Sequence, residues 1–270
     1  MLTKSILTNI SSSDICFNKN YDEIDIVIGG GGFNGFYVLG FNKIIKKLEK
    51  KGHLKVIRYA GTSVGAICSV LIVCQVSDDE ILQLYEKIKN VKEYFINIKT
   101  HLQSILPKNA YILCTNKVFI SLTTFPFLQN HIVSEYHSND ELIDACMASS
   151  CMPLLITNRL YYRFKDKYYL DGFLSRNLIH FNDNAREQII LQPHKIEYHF
   201  FNKFLPLDSS IAGLIVKGAI DAENFFTKDD FELPYMMWFR NTKKRIRPFF
   251  VFTSFFLLAC SIVQLRSTYV

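Results

Sequence analysis

The first 65 residues constrain the fold more strongly than any other part of the chain. Two runs of β-forming residues, Ile24–Ile28 and Val56–Ala60, each lead directly into a glycine-rich turn. Each turn is followed by a segment in which apolar residues recur with helical spacing. This order predicts a β-α-β-α beginning whose two turns lie side by side.

The first turn, Gly29–Gly35, reads GGGGFNG. Backbone N–H groups without side chains at a helix N-terminus bind anions or oxyanions. Gly30, Gly32 and Gly35 also match the G-x-G-x-x-G pattern of dinucleotide-binding proteins, which requires an acid near the end of the second strand. Glu49 has the right offset but precedes that strand in a lysine-rich helix, where a solvent-exposed role is expected. The residues therefore favour an oxyanion-binding turn.

The second turn, Gly61–Gly65, reads GTSVG and fits the pattern G-x-S-x-G. Gly61 and Gly65 let the chain bend so sharply that the hydroxyl group of Ser63 is left exposed. The pattern is common by itself, but here a strand leads into it and the apolar segment Ala66–Leu71 follows it as a helix. The sequence therefore predicts Ser63 as a nucleophile.

A serine hydroxyl needs a neighbouring base to become a good nucleophile. A Ser-His-acid triad in α/β-hydrolase order needs a histidine near the C-terminus, and His180, His194 and His199 are the candidates. None of them lies in a glycine-marked turn after a clear strand, so a surface or core role is expected for all three.

Three motifs of this chain, in this order, resemble those of the patatin-like phospholipases. Gly30–Gly35, Gly61–Gly65 and Asp171–Gly172 are similar to the family's G-G-G-x-[RK]-G, G-x-S-x-G and D-G-[GA] motifs. Ala148–Pro153 resembles a fourth segment, A-S-x-A-x-P, with Cys151 where alanine is usual. The resemblance covers roughly residues 24–178.

The resemblance implies a lipid acyl hydrolase of the phospholipase A or lysophospholipase type, with a lipid ester as substrate and no metal or other cofactor. Ser63 and Asp171 would form a catalytic dyad, and the backbone N–H groups of Gly30, Gly31 and Gly32 would form the oxyanion hole. The implied fold is an α/β three-layer sandwich with a largely parallel central sheet. The residues expected to support the motifs are Asn34, Gly35, Gly61, Gly65 and Gly172.

Two residues depart from the family pattern. Asn34 stands where the family has Arg or Lys, which removes a positive charge beside the developing oxyanion or a substrate phosphate. Phe173 stands where the family has Gly or Ala, and its ring is expected to narrow the site or displace the acid. These departures support a second hypothesis, in which the protein is a catalytically weak or inactive relative that binds lipid or a partner protein.

The rest of the chain alternates between strand and helix patterns, as an α/β fold requires. Ser77 and Ser138 begin capping boxes and so mark two helix starts, and residues 91–113 are expected to form a variable insertion. The other predicted elements are strands at Lys117–Phe125, Asn130–Tyr136 and Ala185–Leu191, a hairpin at Tyr161–Leu170, and a helix at Ser209–Phe226.

Charge and cysteine content limit the compartment and the partners. The formal net charge of +6 over 270 residues is modest and dispersed, so nucleic-acid binding is not indicated, whereas an anionic membrane surface is a compatible partner. The seven cysteines form no CxxC pair and indicate free thiols in a reducing compartment. Residues 1–20 contain no signal-peptide pattern. A protein that is not secreted is expected.

Residues 249–263 form an uninterrupted uncharged run that is rich in phenylalanine. This C-terminal hydrophobic segment predicts a single membrane-spanning tail or in-plane membrane association, and a core helix is the alternative. The basic residues Arg240, Lys243, Lys244, Arg245 and Arg247 precede it and only Arg266 follows, which places the catalytic portion on the cytoplasmic face. The expected division is a polar lead-in at 1–23, an acylhydrolase domain at 24–240 and a basic stretch with a membrane tail at 241–270.

Overall fold

A computed structural model of the chain describes residues 23–88, 94–153, 159–175, 179, 181, 186–196, 210–228 and 236–239. The described strands are β1 Glu23–Ile28, β2 Lys55–Thr62, β3 Val118–Thr124, β4 Asn130–Val133, β5 Tyr162–Phe164, β6 Lys167–Asp171, β7 Glu187–Leu191 and β8 Met236–Phe239. The described α-helices are α1 Gly35–Lys50, α2 Val64–Val73, α3 Asp78–Ile88, α4 Tyr94–Ile105, α5 Ala110–Cys114, α6 Asn139–Ser149 and α7 Ser210–Thr227.

These strands form one mixed sheet in which hydrogen-bonded pairs link β5-β6-β3-β2-β1-β7-β8. Strand β4 pairs with one edge of β3, and β2 and β6 pair with successive parts of its other edge. The four central strands, β3, β2, β1 and β7, are parallel. The outer strands β4, β5, β6 and β8 pair in the antiparallel sense. The α/β class is therefore confirmed, and the sheet is parallel only at its centre. Part of the reason is local, since a hairpin such as β5–β6 can only be antiparallel.

The two faces of the sheet have different partners. Alternate residues of the central strands, including Ile26, Ile120 and Ile189, pack against α1, α2, α6 and α7. The intervening residues on the other face pack against Ile179 and Phe181. The segments on either side of these two residues lie outside the described ranges, so the third layer of the sandwich stays a prediction.

Helices α1 and α7 approach each other at two glycines. A Cβ atom at Gly40 would lie 1.9 Å from the carbonyl oxygen of Ile215, and one at Gly218 would lie 2.0 Å from that of Tyr37. Any side chain at either position would therefore force the helices apart. Gly213 in the same helix α7 has no atom within 4 Å of its Cβ position.

A buried ionic cluster lies at the amino end of the parallel strands, away from the glycine-rich turns. Asp25 is fully buried, and its carboxylate accepts hydrogen bonds from Arg58 at 2.5 Å and from Arg186 at 3.3 Å. The side chain of Gln188 bonds both the N–H and the carbonyl group of Phe181. The cluster fixes Phe181 to the sheet and satisfies the buried charge.

Most of the predicted elements are confirmed. Helices α3 and α6 begin directly after Ser77 and Ser138, and both serines accept the capping hydrogen bond. The hairpin turns at Lys165 and Asp166, both with positive φ, as a two-residue turn requires. Residues 91–113 contain helix α4 and most of α5, and β8 was not predicted.

Other predictions fall on parts of the chain without a description. Residues 1–22 and 240–270, which include the hydrophobic segment 249–263, lie outside the described ranges. None of the helices that the structure does describe is long and apolar enough to cross a membrane. The five cysteines within the described ranges are free thiols, and the sulfur atoms of Cys74 and Cys114 are 3.7 Å apart.

Candidate active site

Strand β3 aligns the two segments that carry the predicted dyad. Ser121 pairs with β4 and with Thr62 of β2, whereas Leu122 pairs with β4 and with Asp171 of β6. A strand has only two edges, so β2 and β6 occupy the same edge of β3, one after the other. The chain leaves the sheet at Ser63 where β2 ends, and Asp171 takes the next position along that edge.

Ser63 lies in the sharp bend that the sequence predicts. Its backbone has φ 57° and ψ −129°, and α2 begins at the next residue, Val64. A Cβ atom at Gly61 would lie 2.4 Å from the Gly65 oxygen, and one at Gly65 would lie 2.3 Å from the Ile28 oxygen. Positive φ is unfavourable for a residue with a side chain, so the packing around both glycines maintains a strained serine conformation.

The hydroxyl group of Ser63 donates a hydrogen bond to Asp171 Oδ2 at 2.7 Å. Asp171 is fully buried, and its Oδ1 accepts a hydrogen bond from the N–H of Phe173 at 2.9 Å. Burial raises the pKa of Asp171 from 3.8 to about 7, although the hydrogen bonds from Phe173 and Ser63 act in the opposite direction. A carboxylate with this pKa can accept and return a proton near neutral pH.

The turn that follows Asp171 depends on Gly172. A Cβ atom at Gly172 would lie 2.1 Å from the carbonyl oxygen of Ser121 in β3. Any larger residue would therefore separate β6 from β3 and move the carboxylate away from Ser63. The glycine of the Asp-Gly pair thus sets the position of the acid.

A segment at the end of α6 contacts both members of the dyad. The hydroxyl oxygen of Ser149 accepts a hydrogen bond from the Ser63 N–H at 2.9 Å, and the same hydroxyl donates to the Ser121 carbonyl at 2.7 Å. The carbonyl group of Cys151 accepts from the Asp171 N–H at 2.8 Å. Sequence reasoning gave Ser149 no role. The one available signal was its place in the Ala148–Pro153 segment.

The glycine-rich turn passes beside Ser63. A Cβ atom at Gly30 would lie 3.3 Å from the Cβ atom of Ser63. Within the described part of the chain, the N–H groups of Gly30, Gly31 and Gly32 donate no hydrogen bond. These donors are therefore available to a negatively charged oxygen formed near Ser63. Their role as an oxyanion hole stays a prediction.

The side chain of Asn34 is buried between the glycine-rich turn and the 3₁₀ turn at Pro193. Its side chain is 2% exposed, and its Nδ2 donates to the carbonyl oxygen of Pro193 at 3.0 Å. The next residue, His194, donates its backbone N–H to the Gly30 carbonyl at 3.0 Å. Two hydrogen bonds thus attach the 3₁₀ turn Pro193–Lys195 to the glycine-rich turn, one at Asn34 and one at Gly30. Asn34 therefore helps to hold the glycine-rich turn in position. The Gly35 Cβ position lies 2.5 Å from a methyl carbon of Val64, so both turns also pack directly on each other.

The ring of Phe173 forms one wall of the site. Its Cδ2 atom lies 3.7 Å from the Cβ position of Gly30, and its ring centroid is 5.3 Å from that of His194. The ring does not displace the acid, since Asp171 remains within hydrogen-bond distance of Ser63. Among the three histidines weighed for a triad, His194 lies beside the glycine-rich turn, while 180 and 199 lie outside the described ranges.

The dinucleotide alternative lacks its ribose-binding acid. Glu49 accepts a hydrogen bond from the N–H of Val56 at 2.9 Å, which places it at the amino end of β2. The glycine-rich turn follows the carboxyl end of β1, so the two lie at opposite ends of parallel strands. Within the described ranges, no three His, Cys, Asp or Glu side chains converge in a way that could hold a metal ion.

Comparison with known proteins gives one family and several relatives. The family model described as "Patatin-like phospholipase" matches residues 26–109. Mouse 1-acylglycerol-3-phosphate O-acyltransferase Pnpla3 is 32% identical over 163 residues, which are 55% of this chain and 39% of the relative. Mouse omega-hydroxyceramide transacylase is 28% identical over 159 residues, 54% of this chain and 26% of the relative.

Human patatin-like phospholipase domain-containing protein 4 is 27% identical over 168 residues, 57% of this chain and 66% of the relative. The matched region is thus less than two thirds of the length of each of these three relatives. Their names include both phospholipase and acyltransferase activities.

Proposed function

We propose that this chain, which is similar over residues 26–109 to the family model described as "Patatin-like phospholipase", is a lipid acyl hydrolase, a serine esterase of the phospholipase A or lysophospholipase type. The observation that carries the proposal is the 2.7 Å hydrogen bond from the Ser63 hydroxyl to the buried carboxylate of Asp171. A nucleophile in contact with a base of suitable pKa is the minimum that ester cleavage by a serine requires.

In the proposed reaction, Ser63 Oγ attacks the carbonyl carbon of the ester while its proton passes to Asp171 Oδ2. The proton then passes to the departing alcohol, and the acyl group remains on Ser63. A water molecule gives a proton to Asp171 and attacks the acyl carbon. Ser63 recovers the proton as the fatty acid leaves.

The glycine-rich turn supports the charged intermediates of this reaction. Gly30 lies beside Ser63, and the N–H groups of Gly30, Gly31 and Gly32 are the proposed donors; loss of one such donor lowers kcat on the order of 10² to 10³-fold in other enzymes. The Ser63 N–H is bonded to Ser149 instead. The oxyanion would therefore be bound from the glycine side only.

The acceptor of the acyl group is either water or a second alcohol. Two of the relatives are named for acyl transfer, and the acyl group on Ser63 is the same intermediate in both reactions. Water is the simpler acceptor, and hydrolysis is the activity that we propose. A product analysis separates the two, because hydrolysis releases free fatty acid and transfer yields a new ester.

The two departures from the family pattern favour one competing function. Without the cation that the family has at position 34, and with the Phe173 ring over the site, the protein would be a catalytically weak or inactive relative that binds lipid or a partner protein. The intact contact between Ser63 and Asp171 supports the enzyme instead.

The proposed substrate is a lipid ester presented by a membrane, reached from the cytoplasmic face. The hydrophobic segment 249–263 and the basic residues before it support this location. Neither nucleic acid nor a metal enters the reaction as proposed.

Covalent labelling by a fluorophosphonate probe tests the proposal. The wild-type protein is expected to be labelled, and Ser63→Ala to take no label. Asp171→Asn is expected to be labelled at least 100-fold more slowly, because general base catalysis typically contributes 10² to 10⁴-fold. The matched control is Ser150→Ala, which changes a buried serine close to the site whose hydroxyl has no hydrogen-bond partner among the described residues.

Separate samples of unlabelled protein are assayed with a water-soluble short-chain ester and with phospholipid, and the products are identified by mass spectrometry. Free fatty acid from phospholipid supports hydrolysis. A folded wild-type protein that neither takes the label nor cleaves the soluble ester would overturn the proposal in favour of the binding protein.

A further inference from the structure

Six large apolar side chains are exposed around the carboxyl end of β3 and the β5–β6 hairpin. We call this set the apolar rim. Phe127 is the most exposed of them at 77% of its surface, although a phenylalanine in a soluble domain is normally buried. Its members are Phe125, Phe127, Leu128, Leu160, Tyr161 and Tyr168.

Three aromatic members of the rim are in direct contact, and Phe127, Leu128 and Leu160 lie within two or three residues of them in the chain. The rings of Phe125 and Tyr161 stack with centroids 5.6 Å apart, and those of Tyr161 and Tyr168 lie 4.4 Å apart. The backbone N–H of Phe125 donates to the Tyr168 carbonyl at 2.9 Å. The turn after β3 and the β5–β6 hairpin are therefore attached to each other through the rim. Contiguous apolar surfaces of this kind mark interaction sites.

The rim lies at the same end of the sheet as the dyad, beyond the carboxyl ends of the parallel strands. Asp171 is opposite Leu122, and the contact between Phe125 and Tyr168 lies three residues further along both strands. A strand rises about 3.3 Å per residue, so the rim begins about 10 Å beyond Asp171 in the direction in which the parallel strands end. The rim and the dyad therefore lie close together at the carboxyl end of the parallel strands.

The charges beside the rim are mainly positive. Residues 159–168 contain four basic side chains and one acidic one, and the turn at residues 125–129 has none. Arg163 pairs with Asp166, and Lys165 pairs with Glu141. With both acids counted, an excess of two positive charges remains. Exposed aromatic side chains beside basic ones suit the boundary between the headgroups and acyl chains of an anionic membrane.

Leu128 combines an unfavourable backbone conformation with an exposed apolar side chain. Leu128 has φ 53°, a conformation that favours glycine. Its side chain is 48% exposed, so the leucine gains little from burial within the described structure. A strained and exposed leucine is explained if the side chain is buried in a partner.

We propose that the apolar rim inserts into the surface of an anionic phospholipid membrane and holds Ser63 and Asp171 over it. This inference rests on the proposed function, since it supplies the means by which a lipid ester reaches the dyad. A second copy of this chain and a protein partner are the competing occupants. Both would cover the surface next to the dyad, whereas a membrane at that surface would also supply the lipid substrate.

Tryptophan fluorescence in the full chain tests which surface meets the lipid. Phe127→Trp places a reporter on the rim, and Ile112→Trp places one at a residue that is 60% exposed on α5, near the amino end of β3. Vesicles of phosphatidylcholine and phosphatidylserine that carry brominated acyl chains are the quencher. The fluorescence of the natural Trp238 is removed by subtracting the signal of the wild-type protein.

We expect the emission of Phe127→Trp to fall at least twofold on vesicle binding and that of Ile112→Trp to stay unchanged. Vesicle-bound protein in which Phe127→Trp is not quenched would overturn the proposal, because another part of the chain then holds the membrane. A wild-type protein that does not sediment with the vesicles would also overturn it. Emission that shifts with protein concentration in the absence of lipid would assign the rim to a second copy.

A double variant, Phe127→Ser with Leu128→Gly, tests the consequence for activity. Glycine suits the backbone at position 128, so the fold is expected to tolerate the change. Hydrolysis of vesicle phospholipid should fall at least tenfold, while hydrolysis of the water-soluble ester stays unchanged. The control Ile112→Ser should alter neither rate. Equal phospholipid rates for the double variant and the wild type would refute docking by the rim, and failure of the soluble ester in the wild type would refute the proposed function itself.

Discussion

Replacement of Asp171 by asparagine should stabilise the protein at alkaline pH while it removes activity. The carboxylate is fully buried and its pKa is raised from 3.8 to about 7 by desolvation. Between these two pH values the folded state binds more protons than the unfolded state. The free energy of unfolding therefore decreases as the pH rises through this window, and above the folded pKa the full loss is present.

The magnitude follows from the shift. One pKa unit corresponds to 1.36 kcal/mol, so a shift from 3.8 to about 7 amounts to about 4 kcal/mol. Asparagine stays neutral, so the variant does not lose this free energy of unfolding as the pH rises. It also keeps both hydrogen bonds, because its oxygen can accept from the Phe173 N–H while its Nδ2 donates to Ser63 Oγ. With total stabilities of about 5–15 kcal/mol for natural domains, the effect is easily measured.

Urea denaturation at pH 4 and pH 8 is the assay. The free energy of unfolding of Asp171→Asn minus that of the wild type should increase by about 4 kcal/mol from pH 4 to pH 8, with unchanged m-values. Asp140 is exposed, so Asp140→Asn is the control for replacing an aspartate by asparagine without a buried carboxylate. Over the same range, kcat/KM of the wild type should rise with a midpoint near pH 7, because only the ionised carboxylate accepts the serine proton. Parallel stability curves for wild type and Asp171→Asn would refute the reasoning.

Three further pairs of variants test the packing around the site. Ser149→Ala should lower the free energy of unfolding by about 1–3 kcal/mol and reduce kcat, because it leaves buried partners unsatisfied. The hydroxyl of Ser150 has no hydrogen-bond partner among the described residues, so Ser150→Ala should lower the free energy of unfolding by less, as measured by urea denaturation, and leave kcat unchanged. Gly218→Ala should destabilise by several kcal/mol because its Cβ overlaps a backbone carbonyl, whereas Gly213→Ala, in open space on the same helix, should stabilise by about 0.5–1 kcal/mol; equal melting temperatures for the two would contradict the helix contact. Asn34→Lys, which restores the charge type of the family, should lower the melting temperature more than Asn34→Ala because it buries an unpaired charge, and an unchanged melting temperature would show that the side chain can leave its pocket.

The sequence was sufficient to predict those features that local chemistry determines. The β1-turn-α1 and β2-turn-α2 units follow from apolar runs that end in glycines, and the starts of α3 and α6 follow from their capping serines. The β5–β6 hairpin follows from its alternating pattern around a short turn. In each case, the residues that specify the element are within a few positions of it.

Features that depend on distant contacts were not predicted. The docking of β6 on the same edge of β3 as β2 depends on strand register, which no residue of β6 reveals by itself. The contact between α1 and α7 depends on Gly40 and Gly218, and a glycine inside a helical pattern indicates only a weaker helix. The partner of Asn34 likewise lies 159 residues away, in a turn that carries no motif. The same tertiary information was missing for Ser149.

The shared edge of β3 also determines when the site comes into existence during folding. Ser63 and Asp171 are 108 residues apart in the chain, and contacts between distant residues form late because the intervening loop must first be closed. The amino-terminal β-α-β unit consists of local contacts and can form earlier. Until β6 pairs with β3, that unit presents a serine without a base. If the protein has the proposed activity, a newly synthesised chain would be inactive before its sheet is complete, and the first appearance of esterase activity in a refolding experiment would mark the closure of the sheet around β3.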